Sequence, residues 1–195
     1  MPEPNRPETE TMNPKIAIPL CSMVLTAFVL LVLQRTWSLP IWPVFIAWAC
    51  FFHLGGGEDP RGAAKALLSC ALFGVFMAWL NALLILINPA GAWLPGTIFA
   101  PILIAISIGV IVAAASWKPL STTSVCIYGY AAVWAFLDAP GRFELAKLTS
   151  YSAENVLLAV PCGIVLGCLC GYLNAKCVGL LVRGHVAVEL PTQQV

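Results

Sequence analysis

Apolar residues fill six stretches of this chain, and polar residues collect between them. Five stretches are long and nearly uncharged: 16–33, 66–87, 97–117, 120–137 and 155–182. Crossing the hydrocarbon core of a bilayer takes about 20 apolar residues in a helix. These five stretches predict membrane-spanning helices. A sixth, 39–54, is shorter and carries Pro40 and Pro43 at its start. Proline is tolerated in a first helical turn, where the N–H groups lack partners anyway. The expected fold class is therefore an all-α polytopic membrane protein with six transmembrane helices, occupying residues 16–182. Residues 1–15 and 183–195 are polar and proline-bearing, and read as cytoplasmic tails.

Composition strengthens this reading. The chain is 60% hydrophobic and 10% charged, against roughly 25% charged for a soluble domain. So few charges cannot cover a surface facing water, and the lipid bilayer is the expected solvent. The net charge of +1 and the absence of a basic cluster give no footprint for nucleic acid. Eight cysteines occur without a C-x-x-C pair. Most sit inside apolar runs, where cysteine serves as a small packing residue. Lysine and arginine set the orientation. With the N-terminus inside, Arg6, Lys15, Arg61, Lys65, Lys118, Lys176 and Arg183 face the cytoplasm, and Arg35, Arg142 and Lys147 face outward. Both termini are thus expected in the cytoplasm. The segment Asp138–Ser152 becomes the longest outer loop, with a short surface helix over 142–148.

The two halves of the chain echo each other. "WLNA" at Trp79–Ala82 matches "YLNA" at Tyr172–Ala175, and Gly74 and Gly167 each stand five residues before the aromatic. Upstream, "WACFFHLGGG" beginning at Trp48 corresponds to "WAFLDAPG" beginning at Trp134, and "WSLP" at Trp37 to "WKPL" at Trp117. Three spans per copy would place the copies in opposite orientations. The pattern therefore predicts two inverted three-helix repeats, an organisation common among transporters.

The spans contain almost no ionisable side chain. A charge at the bilayer centre costs at least about 2.5–3.5 kcal/mol, so functional exceptions stand out, and none does here. This argues against a proton pump. It is compatible with passage of a small uncharged or weakly charged solute. The polar groups within the spans are modest, and most such side chains bond across helices. Asn81 and Asn174 occupy equivalent places in the repeat, and their amides offer both donors and acceptors. With Tyr128 and Thr122 they are the candidate lining of a solute path. The single "NPA" at Asn88–Ala90 lacks the second copy that aquaporin-type channels use. Apart from His185 in the tail, His53 is the only histidine, so two histidines for a haem are not available within the membrane. His53, Glu58 and Asp59 in one loop make a poor metal site. No nucleophile is paired with a base. The sequence names no catalytic residue, metal site or cofactor, and leans away from an enzyme.

"HLGGGEDPRGAAK" reads first as a turn between helices. Gly55, Gly56 and Gly57 end the short span. Asp59 is an N-cap for the next helix, with Pro60 at its first position. Three glycines exceed what a helix end needs, so His53 and Gly55–Gly57 are also a candidate gate or ligand loop. Gly163, Gly167 and Gly171 form a small-residue stripe that lets two helix backbones meet, within the bundle or in a homo-oligomer.

The short span "WPVFIAWACFF", the following "GGG", the restart "RGAAKALLS" and the late "GIVLGCLCGYLNA" together resemble the uncharacterised bacterial inner-membrane family typified by YcdZ. The likeness covers roughly residues 16–182; the longer polar N-terminus and the charged loop Asp138–Ser152 depart from it. The resemblance implies a multi-pass protein of the bacterial inner membrane and supplies no activity or site residue. The functional expectation is a channel or facilitator for a small uncharged or weakly charged solute. The alternative is a non-transporting accessory or scaffold protein that binds a membrane partner through its small-residue helix faces. A third and weaker reading is a membrane enzyme using the His53–Asp59 region.

Overall fold

In a computed structural model of the chain, residues 12–36 and 40–182 are described, and the backbone alone for 34–36. The two expected tails lie largely outside these residues. So do Arg6, Arg183, His185, the "WSL" at 37–39 and the side chain of Arg35.

The described residues form seven α-helices: α1 Pro14–Thr36, α2 Ile41–His53, α3 Pro60–Ile87, α4 Gly96–Ala114, α5 Thr123–Leu137, α6 Leu145–Thr149 and α7 Val156–Leu181. Four of them, α1, α3, α4 and α7, are long and apolar enough to cross a membrane. The other two apolar helices are shorter. The 13 residues of α2 and the 15 of α5 rise about 20 Å at 1.5 Å each, short of a hydrocarbon core of about 30 Å. The apolar run at 120–137 thus yields less helix than expected. Pro119 and Leu120 belong to a 3-10 turn, Lys118–Leu120, and the α-helix begins only at Thr123. The short helix expected over 142–148 also starts later than expected, at Leu145, because a turn occupies 139–142. α3 begins at Pro60, ahead of the apolar run that starts at Ala66, and Asp59 is its N-cap as expected, accepting a hydrogen bond from Gly62 N at 3.0 Å.

The core lies among α2, α3, α5 and α7. Phe51, Leu67, Val75, Val125, Val133, Val160 and Ile164 are completely or almost completely enclosed there. α3 packs chiefly on α5, and α7 chiefly on α2. Each contact is made backbone to backbone through glycine. A Cβ on Gly74 would overlap the Cys126 carbonyl oxygen, and one on Gly129 would overlap the Ala71 carbonyl oxygen. On the other side, a Cβ on Gly167 would overlap the Val44 carbonyl oxygen, and Gly171 is pressed against the Phe51 ring. Only glycine permits such approach, which lengthens the run of van der Waals contact between helices.

The order of contacts fixes direction. Gly163, Gly167 and Gly171 of α7 meet Pro43, Val44 and Phe51 of α2 in that order, so these helices run parallel. Along α3, Ser69 reaches Pro119 through its hydroxyl at 2.8 Å, and Gly74 meets Cys126 and Tyr130, so α3 and α5 are parallel as well. The long helices α1 and α4 lie outside this core. α1 buries Ala17, Cys21, Val29 and Leu33 on one stripe, and α4 buries Ser107 and Ile111. Leu25 and Ile108 pack partly against the core, and most of the other apolar side chains of these two helices face outward, as lipid-facing helices require.

Candidate functional site

Two buried asparagines mark the polar interior. Asn81, 1% exposed, lies on α3. Its Nδ2 donates to the Tyr130 hydroxyl of α5 at 2.7 Å, and its Oδ1 accepts from the Ser107 hydroxyl of α4 at 2.8 Å. Asn174, 3% exposed, lies on α7. Its Nδ2 donates to Ser22 Oγ on α1 at 2.9 Å, while Oδ1 is buried with no partner. Each asparagine thus ties one outer helix to the core through a serine. The bonds run to different helices, and no bond joins the two asparagines. Ser107 stands in the apolar middle of α4, and no motif marks it as the partner of Asn81.

The remaining candidate path residues lie elsewhere. Tyr128 is half exposed and lines a very small cavity, about 10 Å³, between α2, α3, α5 and α7. Ala47, Cys50, Ala71 and Gly129 complete much of its wall. Thr122 is half buried at the start of α5, where its carbonyl accepts from Val125 N and Cys126 N and its hydroxyl caps nothing.

The glycine loop has two structural duties. Gly55 adopts φ 78°, a left-handed conformation suited to glycine. Gly55 N bonds to Phe52 O at 3.0 Å and Gly56 N to Phe51 O at 2.9 Å, which together make a Schellman ending for α2. Gly56 is also buried against the Phe51 ring, where a Cβ would not fit. Gly57 has open space around its Cα. His53 is exposed at the last turn of α2. Asn88 ends α3 in a left-handed conformation, φ 40°, so the single "NPA" closes a helix rather than opening one.

A second polar region caps the opposite ends of α5 and α3. Leu148 of α6 is buried, and its carbonyl accepts from Trp79 Nε1 at 2.9 Å. Asn155 clasps the same segment. Its Nδ2 donates to Ser150 O at 2.5 Å, and its Oδ1 caps α7 by accepting from Leu157 N at 2.8 Å. Lys147 pairs with Glu154. The hydrogen bond from Lys147, and then its charge, hold the exposed Glu154 carboxyl below its ordinary range. The described residues hold no cluster of three or more histidine, cysteine or acidic side chains suited to a metal. The eight cysteines are unpaired.

Four helices long and apolar enough to cross a bilayer, packed in an all-helical fold, define an integral membrane protein of the all-helical class. A family model described as protein of unknown function (DUF1097) matches residues 16–179, and the chain belongs to that family. No curated protein and no solved structure matches.

Proposed function

We propose that the chain is two inverted three-helix repeats, α1–α3 and α4–α5–α7, crossing the bacterial inner membrane six times with both termini in the cytoplasm. In this reading it facilitates passage of a small uncharged or weakly charged solute. One observation carries the proposal: every major contact of one half has a counterpart in the other. α3 packs on α5 as α7 packs on α2, and α4 flanks α3 as α1 flanks α7. The Asn81–Ser107 bond between α3 and α4 matches the Asn174–Ser22 bond between α7 and α1. Gly74 meets Cys126 as Gly167 meets Val44. This equivalence pairs Val44 with Cys126, one helical turn away from the register that aligns Trp48 with Trp134. The parallel runs of α3 with α5 and of α2 with α7 also support six crossings, with the two short helices held by longer neighbours.

Asn81, Asn174, Tyr128 and Thr122 are assigned to the path, and the centre is closed in this conformation. Flux requires the glycine-sealed seams to part, which makes the protein a gated facilitator rather than an open pore. Proteoliposomes challenged with urea, short amides and glycerol in stopped-flow shrinkage test the proposal. A lost hydrogen bond to solute costs about 0.5–1.5 kcal/mol, so Asn81→Leu and Asn174→Leu slow flux several-fold to about tenfold. No flux above empty liposomes for the whole panel refutes transport. The tight closure of the centre favours a second reading in that event, an accessory protein; the small-residue stripe expected to meet its membrane partner is taken up by α2, so that contact falls to the outward apolar faces of α1 and α4.

A further inference from the structure

The loop after α5 folds back over the end of that helix and borders an open groove unrelated to the proposed path. Its volume is about 710 Å³, within the range of small-molecule sites, roughly 300–1,000 Å³. Gly141 makes the return turn with φ 72°. The wall is aromatic on one side: Trp134 and Phe143 lie 5.9 Å apart, centroid to centroid, and Trp134 is backed by Tyr130 at 6.2 Å. The only charged side chains lining the groove are Asp138 and Glu144. Both are exposed, and neither has an ion-pair partner among the described residues. Arg142, between them in sequence, does not line the groove and instead stacks over the Phe136 ring at 4.4 Å.

We propose that this groove binds a small organic cation, an ammonium with apolar substituents. Aromatic faces attract a cation through the ring quadrupole when it lies within about 6 Å of the centroid. The two carboxylates supply the opposite charge, and with Arg142 withdrawn no cation in the lining opposes it. The clasp of Trp79 and Asn155 on the α6 segment keeps the neighbouring chain in place, so the walls are pre-organised. The same chemistry is met by a free alkylammonium or by the ammonium of a lipid headgroup.

The full chain in nanodiscs of phosphatidylglycerol alone, titrated with choline and read by saturation-transfer NMR, tests this. Choline is expected to bind, and dimethylbutanol, which has the same shape without the charge, is expected to bind far more weakly. Asp138→Asn and Glu144→Gln should each weaken choline about two- to five-fold, in line with exposed charge pairs. Phe143→Ala should weaken it by a similar factor. All three side chains are exposed, so unchanged thermal unfolding confirms that the variants are folded. Equal binding of the alcohol, no choline signal with the wild type, or full affinity in the Asp138→Asn/Glu144→Gln double variant overturns the proposal. Repeating the titration in phosphatidylethanolamine nanodiscs separates the sources. Loss of choline binding there supports a headgroup as occupant, and unchanged binding supports a free cation.

Discussion

Replacing Gly167 by alanine adds one methyl group at the tightest point of the α7–α2 contact. Its Cβ would overlap the Val44 carbonyl oxygen and crowd the Ala47 methyl. Neither neighbour is the far end of a flexible side chain, so the helices themselves must separate. Overpacking of this kind costs about 1–3 kcal/mol. Against it stands the usual preference of a helix for alanine over glycine, about 0.5–1 kcal/mol. That gain is an upper bound here, because helices in a bilayer stay hydrogen-bonded when their packing is lost. The net expectation is a loss of about 1–2 kcal/mol. Gly179 supplies the control: it lies on the same helix with open space around its Cα. Gly179→Ala should therefore be neutral or slightly stabilising, and the two substitutions should differ in sign. Reversible unfolding in mixed micelles, with helicity and a cysteine accessibility probe as readouts, measures both. A Gly167→Ala protein as stable as Gly179→Ala would show that the backbone contact does not carry the packing assigned to it.

Asn81→Leu leaves both Ser107 and Tyr130 without their partner, whereas Asn174→Leu removes one bond and also an unpaired polar group. At about 0.6–1.7 kcal/mol per intramembrane bond, Asn81→Leu should be the more destabilising by unfolding titration; equal losses would contradict the unequal pairing. Glu154 is held below its ordinary value of 4.5 by Lys147, so its contribution is present above that value and fades as pH falls through the lower, folded-state value. The stability gap between wild type and Glu154→Gln should therefore close on acidification, and a gap that widens would reverse the assignment. A single cysteine introduced at Ser150 in a cysteine-free background should react with an impermeant maleimide only from outside the cell; labelling only from the cytoplasmic side would invert the proposed orientation.

The apolar runs announced the helices because a membrane leaves the backbone few alternatives, and those runs alone placed most of them. Local capping was equally legible: Asp59 before Pro60 and the glycine after His53 act through neighbours within a few residues. The small-residue stripe on α7 declared a close contact without naming its partner. That partner is α2, and its identity depends on how the halves meet in space. The choice of Ser107 and Tyr130 by Asn81 was illegible for the same reason, since serine in an apolar helix looks alike whether it bonds to its own backbone or to a neighbour. The groove over α5 was hidden because it is made by the return of a loop, and because Arg142, charged like a partner for Asp138, turns instead to an aromatic ring.

The shortness of α2 has a consequence for how the protein is made. Its main partner, α7, is synthesised about a hundred residues later, which at 5–20 residues per second is a delay of about 5–20 seconds. Throughout that interval a helix too short to cross unaided, with a glycine-ended turn behind it, lacks the surface that will bury it. The nascent chain must hold α2 at the insertion machinery or at the bilayer surface until the final helix emerges. A ribosome stalled before α7 would release a half-assembled bundle open along one seam, the kind of product that membrane quality-control proteases recognise.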